Sequence, residues 1–308
     1  MPKLETVQLA VIGGSGLYQI ESLTRVKEYA IKTPFGDPSD AIVVGTLSDR
    51  RVAFLPRHGR GHRLLPTEVN ARANLFALKT LGVTHIVSVS ACGSLREHLH
   101  PRHVVVPDQL FDRTRGRPLT FFGNGLVAHI GMAEPFCPRL SALVADTVEA
   151  SGGTAHRGGT FVTVEGPRFS TKAESQAFRQ LGFDIIGMTA IPEANLAREA
   201  EIAYAVMAHV TDFDVWHASE ETVTVEMVIR ILGENVTLAK QAIARIAASD
   251  LPPSDAHSAL ATAIITSPDA VPARLKRDLA PLIGKYLPVE KKAVKRKNVN
   301  RKNVKRLF

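Results

Sequence analysis

Short apolar segments alternate with longer segments of helical pattern along most of this chain, and this alternation limits its fold more than any other feature. Short apolar runs are typical of buried strands, and parallel strands need a crossover between them that is usually a helix. The pattern predicts strands at residues 9–12, 41–45, 52–56, 85–89, 104–106, 160–164, 184–188 and 202–210. It predicts helices at residues 69–81, 139–151, 170–181, 191–200 and 223–248. We therefore expect an α/β fold in which helices flank a central, largely parallel mixed sheet.

Residues 1–287 contain no linker rich in Gly, Pro or Ser, and we predict that they form a single domain. Their last part carries two further helical patterns, at residues 254–266 and 271–284. Residues 288–308 differ in composition, because they hold nine Lys and Arg residues and a single acid, Glu290. Nine minus one is +8, so this segment accounts for the whole net charge. It has too few apolar residues to pack, and we predict a basic, disordered tail.

The remaining composition excludes several classes of protein. No run of about 18 apolar residues is present, so a transmembrane helix is not expected. The first residues lack the apolar core of a signal peptide, and two cysteines, Cys92 and Cys137, are too few for a disulfide framework. We therefore expect a cytoplasmic protein. Cys92 has no evident base beside it in the sequence and is interpreted as a buried structural thiol.

Two acids separated by one residue follow the predicted strand at 202–210, and we call Asp212 and Asp214 the acidic pair. In open α/β sheets, ligands bind at the carboxyl ends of the strands. Carboxyl groups placed there can accept a hydrogen bond from an exocyclic amine and hold a proton near a ring nitrogen. Met188 and Thr189 end the preceding strand and are expected at the same edge. Groups of this kind are what the cleavage of an aminopurine from a sugar requires.

Three other strand ends offer donors for an anion. A Gly-rich turn with Ser15 follows the first strand, Arg57 and His58 follow the strand at 52–56, and small residues around Ser90 follow the strand at 85–89. Backbone N–H groups, hydroxyls and a guanidinium fork suit phosphate oxygens. Taken singly, the Gly-rich turn could equally be a plain tight turn, whereas the crowding of basic side chains at residues 57–62 already favours an oxyanion site over a solvated loop. Taken with the acidic pair, and without a competing zinc ligand cluster, they favour an oxyanion site.

Residues 163–170 lead from a predicted strand into a predicted helix. Ser170 or Thr171 is expected to cap that helix, as part of a capping box. Glu165 and Arg168 are predicted to form an ion pair with a structural role. Phe169 could stack on a base or pack against the protein, and both interpretations stay open.

These segments and several others, in order along the chain, resemble the trimeric purine nucleoside phosphorylase family, and within it the 5′-methylthioadenosine phosphorylases. The likeness runs from about residue 8 to at least residue 228, and rests on residues 12–17, 33–36, 57–62, 91–95, 132–138, 164–170, 188–193 and 211–216. The resemblance implies a nucleoside phosphorylase fold and phosphorolysis of 5′-methylthioadenosine to adenine and 5-methylthioribose 1-phosphate. It implies inorganic phosphate as a co-substrate, no cofactor, no metal, no membrane association, and a homotrimer.

The resemblance also assigns roles to individual residues. Phosphate would be held by Ser15, Arg57, His58, Ser90, Ala91 and Thr189, with serine at 15 and 90 where relatives commonly have threonine. The nucleoside would contact Met188 at the ribose, Phe169 at the base, and Val225 and Val228 at the methylthio group. The acidic pair would bind the purine and supply the catalytic acid. Ser170 and Val225 would set specificity, and His129 would reach the site from a neighbouring subunit.

Two alternatives stay open. The first is a purine nucleoside phosphorylase acting on adenosine, inosine or methylthioinosine. Family members that use 6-oxopurines carry asparagine at the base-binding position, where this chain has an acid. The acid favours adenine, because a carboxylate accepts a hydrogen bond from the exocyclic amine of that base. The second is nucleic-acid binding through the basic tail, because Lys and Arg runs bind phosphate backbones without sequence preference. Any nucleic-acid partner would bind only there. The tail has no aromatic residue before Phe308, so a solvated appendage is the favoured interpretation.

Overall fold

The computed structural model describes residues 6–14, 17, 20–217 and 225–288, without the side chains of residues 227, 228 and 232. Its strands are β1 (Leu9–Gly13), β2 (Thr24–Tyr29), β3 (Ile42–Leu47), β4 (Arg50–Pro56), β5 (His85–Ser94), β6 (Val104–Val106), β7 (Gln109–Arg113), β8 (Ala155–Arg157), β9 (Thr160–Val164), β10 (Ile185–Gly187) and β11 (Ala203–Asp212). Its helices are α1 (Ala71–Thr80), α2 (Pro138–Ala150), α3 (Lys172–Gln180), α4 (Ala190–Glu199), α5 (Val225–Ala248), α6 (Ala273–Asp278) and α7 (Ala280–Ile283). None of the described helices is long and apolar enough to cross a membrane.

The strands form one mixed sheet in the order β2–β3–β4–β1–β5–β10–β9–β7, with β11 paired to β5 and β6, and β8 paired to β6. The central strands β4, β1, β5 and β11 run parallel, whereas β2 and β3 are antiparallel to their neighbours. The long strand β5 is shared, because it pairs with β1, β11 and, at its end, β10. The predicted α/β fold with a largely parallel mixed sheet is confirmed.

Helices cover both faces of the sheet. α1 and α4 pack on one face, in a cluster that includes Val206, Ala208 and Val210 of β11. α2 and α5 pack on the opposite face, where Ala205 and Met207 of β11 join a second cluster. This alternation follows from the two-residue period of a strand. The central strands are thus buried on both faces, and each fully buried Val or Leu contributes about 1.5–3 kcal/mol.

All eight predicted strands and the first five predicted helices are present, with small differences at their ends. The sequence pattern does not predict β2, β7 and β8. These three strands lie at edges of the sheet, and β2 and β7 are largely exposed. An exposed edge strand buries neither face, so it needs no apolar run and leaves no such signal in the sequence.

The predicted helix at residues 254–266 is wrong. A short 3-10 helix, Asp255–Ser258, is followed there by turns. The carbonyl of Ala263 accepts from the N–H of His129, and the N–H of Ile265 donates to the carbonyl of Val127. These backbone groups are therefore bonded to another segment and not to each other within a helix. The pattern at 271–284 is divided into α6 and α7, because Pro281 lies at the start of α7 and has no N–H to continue the preceding helix.

Three predictions fall on parts of the chain that the structure does not describe. They are the basic tail, of which only Pro288 is described, Ser15 in the Gly-rich turn, and the side chain of Val228. The division of the chain at residue 287 therefore stays a prediction.

Candidate active site

A cavity of about 660 Å³ lies at the carboxyl ends of β4, β5, β10 and β11. Its volume falls within the range of roughly 300–1,000 Å³ that is typical of small-molecule sites. Its lining includes most of the residues singled out in the sequence, namely Arg57, His58, Ser90, Ala91, Phe169, Ser170, Met188, Thr189, Asp212, Asp214 and Val225. Segments far apart in the sequence, from Gly14 to Ala239, thus share one cleft at the edge where open α/β sheets bind ligands.

The acidic pair lies at the end of β11, and both side chains are more than nine-tenths buried. Asp212 accepts hydrogen bonds from the Thr211 hydroxyl at 2.6 Å and from the backbone N–H of Asp214 at 2.8 Å. Oδ2 of Asp214 has no hydrogen-bond partner among the described residues. Asp212 is therefore oriented by the protein, whereas Asp214 offers a buried oxygen to a ligand.

Burial raises the pKa of both carboxyl groups. The pKa of Asp212 rises from 3.8 to about 6, although its hydrogen bonds from Thr211 and the Asp214 backbone favour the charged form. The pKa of Asp214 is also raised by burial, against the opposing effect of the Ser175 and Ser170 hydroxyls nearby. The pair therefore holds a proton more tightly than exposed carboxyls do, as a general acid working near neutral pH requires.

The raised pKa of Asp212 predicts a pH-dependent stability difference between the protein and an Asp212→Asn variant. The folded state binds the Asp212 proton more tightly than the unfolded state, so its stabilising effect is present below about pH 4 and lost as pH rises through about 6. Relative to the variant, the protein should lose about 2 kcal/mol of unfolding free energy between those limits. Urea unfolding of both proteins from pH 4.5 to 7.5 measures this, and a pH-independent difference would contradict it.

The backbone around the acidic pair is fixed by its neighbours. A Cβ on Gly93 of β5 would lie 2.9 Å from Oδ1 of Asp212, so only glycine leaves room for that carboxylate. Asp214 has a φ of 50°, in the left-handed region that Asp tolerates better than most residues. Trp216 then anchors the segment, because its indole N–H donates to a carbonyl of β5 at 2.7 Å and the Arg179 guanidinium covers its ring.

Another part of the lining is cationic and hydroxylic, and we call four of its residues the basic wall: Arg57, His58, Ser90 and Thr189. Arg57 is only 3% exposed, and its guanidinium donates to both carboxylate oxygens of Glu193, at 2.5 and 3.2 Å. It also donates to the Ser88 hydroxyl and to the carbonyl of Val89. Within residues 6–14, 17, 20–217 and 225–288, these contacts leave one N–H of the guanidinium without a partner and open to a ligand. Arg57 is thus held in place before any anion binds.

Two hydroxyls of the basic wall have no hydrogen-bond partner in the part of the chain that the structure describes. Oγ of Ser90 and Oγ1 of Thr189 are buried and make no hydrogen bond within the described part of the chain. Thr189 precedes α4 but makes no capping bond to it. Buried hydroxyls are nearly always hydrogen-bonded in folded proteins, so this pair indicates a position for ligand or water oxygens.

His58 completes the basic wall in a defined protonation state. Its Nδ1 lies 2.9 Å from the carbonyl oxygen of Leu64, which can only accept, so Nδ1 carries the proton. Burial, followed by the charge of Arg57, lowers the pKa of His58 to about 4. The neutral ring therefore offers Nε2 as an acceptor. It can donate to an anion only after gaining a second proton.

Some predicted site residues are placed at the rim of the cavity or away from it. Phe169 and Val225 line the cavity but are 39% and 57% exposed. Thr171 rather than Ser170 caps α3, through a capping box with Glu174. His129 is exposed and does not line the cavity of its own chain.

Comparison with known proteins identifies the family to which this chain belongs. The family model of the phosphorylase superfamily matches residues 8–248. The S-methyl-5′-thioadenosine phosphorylase of Chloroflexus aurantiacus is 55% identical over 287 residues, covering 92% of this chain and 99% of the relative. That of Geobacter sulfurreducens is 53% identical, covering 91% and 99%. The chain belongs to the phosphorylase superfamily.

Solved structures of the superfamily share the fold. A methylthioadenosine phosphorylase sourced from an antarctic soil metagenomic library has a TM-score of 0.87 and 50% identity, and the match covers 90% of this chain and 99% of that one. The methylthioadenosine phosphorylase from Schistosoma mansoni, in complex with adenine, has a TM-score of 0.75 and 39% identity, covering 79% and 91%.

In this phosphorylase, the sequence patterns miss Arg117, a residue that joins the loops of the cavity. Its side chain is 6% exposed and donates to the backbone carbonyls of Met188 at 2.6 Å, Ile191 at 2.5 Å and Glu165 at 2.7 Å. The loops after β9 and β10 are thereby tied together. The predicted ion pair of Glu165 with Arg168 is wrong, because Glu165 pairs with Arg117 and Arg168 pairs with a glutamate of α3.

Replacing Arg117 with methionine is expected to lower kcat/KM about 10²-fold, because the loops carrying Met188 and Thr189 lose their common anchor. The unpaired carbonyls should also lower the unfolding free energy by about 1–3 kcal/mol. Arg117→Lys should recover part of both losses. Steady-state kinetics and urea unfolding measure the effects, with exposed Arg113→Met as the control. Full activity in the methionine variant would contradict the anchoring role.

Proposed function

We propose that this chain catalyses the phosphorolysis of 5′-methylthioadenosine to adenine and 5-methylthioribose 1-phosphate. The observation that carries the proposal is the composition of one cavity of about 660 Å³, which both the basic wall and the acidic pair line. An anion-binding wall suits phosphate, and a buried acid suits a purine leaving group. The names of the relatives with about half of their residues identical support the same reaction.

The basic wall binds and orients phosphate in this proposal. Ser90 and Thr189 supply hydroxyls that have no partner among the described residues, Arg57 supplies its remaining N–H and its charge, and Ala91 adds its backbone N–H. Ser15, outside the described residues, is assigned to the same anion. Fixing phosphate below C1′ turns a weak nucleophile into a positioned one. Because Glu193 holds the guanidinium, little reorganisation accompanies the reaction.

The acidic pair assists departure of the base. A phosphate oxygen forms a bond to C1′ as the C1′–N9 bond breaks, and the bonding electrons pass into the purine ring. A proton delivered to N7 from Asp214, oriented beside Asp212, lets adenine leave as a neutral molecule. The other carboxyl accepts a hydrogen bond from the exocyclic amine. No cofactor takes part in these steps, and inorganic phosphate is the co-substrate.

The sugar lies between these groups, with its 5′ substituent on the side away from the phosphate. Met188 is assigned to the ribose, Phe169 and Ser170 to the base, and Val225 to the methylthio group. Val228, whose side chain lies outside the described part of the chain, is assigned to the methylthio group from the family resemblance alone. His129 completes the pocket of a neighbouring subunit in a homotrimer. Its exposure and its absence from the cavity of its own chain support that assignment. A cytoplasmic location fits these small-molecule substrates.

Purified full-length protein incubated with 5′-methylthioadenosine tests the proposal. Adenine should appear only when phosphate is present, with one equivalent of sugar 1-phosphate. Adenosine, inosine and methylthioinosine serve as comparison substrates at matched concentrations. Adenine release that is independent of phosphate would indicate a hydrolase, and faster cleavage of inosine or methylthioinosine would indicate a 6-oxopurine phosphorylase. Light scattering of the same sample tests the homotrimer.

A further inference from the structure

One histidine in the cavity has no role in the chemistry proposed above. His209, near the end of β11, has no exposed surface and lines the cavity. Neither of its ring nitrogens has a hydrogen-bond partner within the described residues. Burial lowers its pKa to about 4, so the ring is neutral and carries one donor and one acceptor. Leaving both unpaired in a buried place is costly, and such groups in native proteins nearly always meet water or a ligand.

The strand register shows on which side of the sheet His209 lies. Ala205 and Met207 belong to the cluster beneath α2 and α5, and the two-residue period places His209 on that same face. Its cross-strand neighbours are Ala91 of β5 and Val104 of β6. Ala91, whose side chain is a single methyl group, lines the same cavity as His209.

A second unpaired polar group comes from the helix on this face. Asn235 of α5 is 5% exposed, lines the same cavity, and has an Nδ2 without a partner in the described part of the chain. Ala239 and Ala242 follow it at the spacing of one helix face and pack into the cluster beneath α5. Asn235 therefore lies on the inner face of α5, on the same side of the sheet as His209.

The basic wall lies on the other side of the sheet. Arg57 bonds to Ser88 and to Glu193 of α4, and α4 packs in the cluster opposite α5. In a β-nucleoside, phosphate approaches C1′ from the ring face that is opposite the 5′ substituent. A nucleoside with phosphate at the basic wall therefore directs its 5′ substituent toward α5, where Val225 and Ile229 also line the cavity.

We propose that His209 and Asn235 form a polar subsite for one neutral O–H group on the 5′ side of the nucleoside. This inference rests on the proposed function and goes beyond it, because it adds two hydrogen-bonding side chains to a 5′ pocket that is otherwise largely apolar. The amide donates to the oxygen, and the imidazole donates to it or accepts from it. Two sources share this chemistry: the 5′-hydroxyl of the substrate, and a water molecule bound beneath a substituent without a hydroxyl.

Adenosine and 5′-deoxyadenosine, which differ only in that hydroxyl, test the subsite. If the substrate supplies the group, the wild type prefers adenosine by about 5- to 10-fold in kcat/KM, and His209→Met and Asn235→Leu each reduce the preference toward unity. His209→Gln keeps a donor and an acceptor and should retain part of it. If water supplies the group, both variants slow all substrates alike, including methylthioadenosine, and a crystal structure shows water between the two side chains.

The control variant is His156→Met, which replaces a histidine outside the cavity. It should change neither kcat/KM for adenosine nor the ratio of that value to kcat/KM for 5′-deoxyadenosine. Unchanged kinetics in both subsite variants, or a crystal structure in which His209 and Asn235 bond only to protein groups, would overturn the proposal. Calorimetric binding of the two nucleosides in the absence of phosphate keeps the test independent of turnover. Failure to cleave methylthioadenosine would refute the proposed function, whereas loss of the hydroxyl preference on mutation would still support the subsite.

Discussion

Replacing Asp214 with asparagine is expected to lower kcat/KM for methylthioadenosine by about 10²- to 10⁴-fold, the range in which positioned general acids contribute. Asparagine has nearly the same shape but no proton to transfer. The change replaces a carboxyl group that is available to the substrate. Oδ2 of Asp214 is buried at the cavity and has no partner among the described residues. Steady-state phosphorolysis at pH 7, with adenine as the measured product, gives the ratio.

A substrate that needs no acid separates proton transfer from general damage. A 4-nitrophenyl riboside has a leaving group that departs as a stable anion, so Asp214→Asn should slow its cleavage far less than that of methylthioadenosine. Asp184→Asn, a carboxylate that instead pairs with Arg96, is the control for replacing an acid outside the cavity. Turnover of methylthioadenosine near the wild-type rate would show that the acid lies elsewhere.

Replacing Arg57 with methionine is expected to cost both stability and phosphate binding. It leaves the Glu193 carboxylate buried at 2% exposure without its cation, and removal of one partner from such a pair typically costs about 3–5 kcal/mol. Phosphate would lose the positive charge of the basic wall, so the KM for phosphate should rise at least tenfold, about 1.4 kcal/mol or more. Urea unfolding and phosphate titration of the rate measure the two effects.

A double variant distinguishes these two consequences. Arg57→Met with Glu193→Gln removes both charges, so it should recover much of the lost stability while phosphate binding stays weak. Arg60→Met, in the same loop but with a half-exposed side chain paired to Glu28, is the control and should change either quantity little. Normal phosphate dependence in the double variant would remove Arg57 from the phosphate site.

The sequence predicts those features of the fold that local periodicity determines. Buried strands such as β1, β5 and β11 have apolar runs, and the acidic pair stands out because charged residues directly follow one of them. The same reasoning fails for the exposed edge strands and for residues 254–266, where bonds to the segment around residue 128 replace a helix. Tertiary contacts of this kind produce no periodic pattern of apolar residues in the sequence.

The candidate site is predicted less completely than the fold. Residue types at strand ends identify Arg57, Ser90 and the acidic pair as neighbours, because parallel strands end at one edge. This reasoning could not find Glu193, which pairs with Arg57 from 136 positions away. It also could not find Arg117, which joins the loops of the cavity. Their side chains act on backbone carbonyls or on another side chain, and a sequence motif does not encode such a contact.

The shared strand β5 has a consequence for how relatives of this chain can diverge. It carries Ser90 of the basic wall and Gly93 beneath the acidic pair, and it pairs with β1, β10 and β11. Inserting or deleting one residue within it would invert the side chains beyond that point and displace both halves of the cleft together. Length variation should therefore accumulate in surface loops during evolution, and substrate range should drift through point changes on α5.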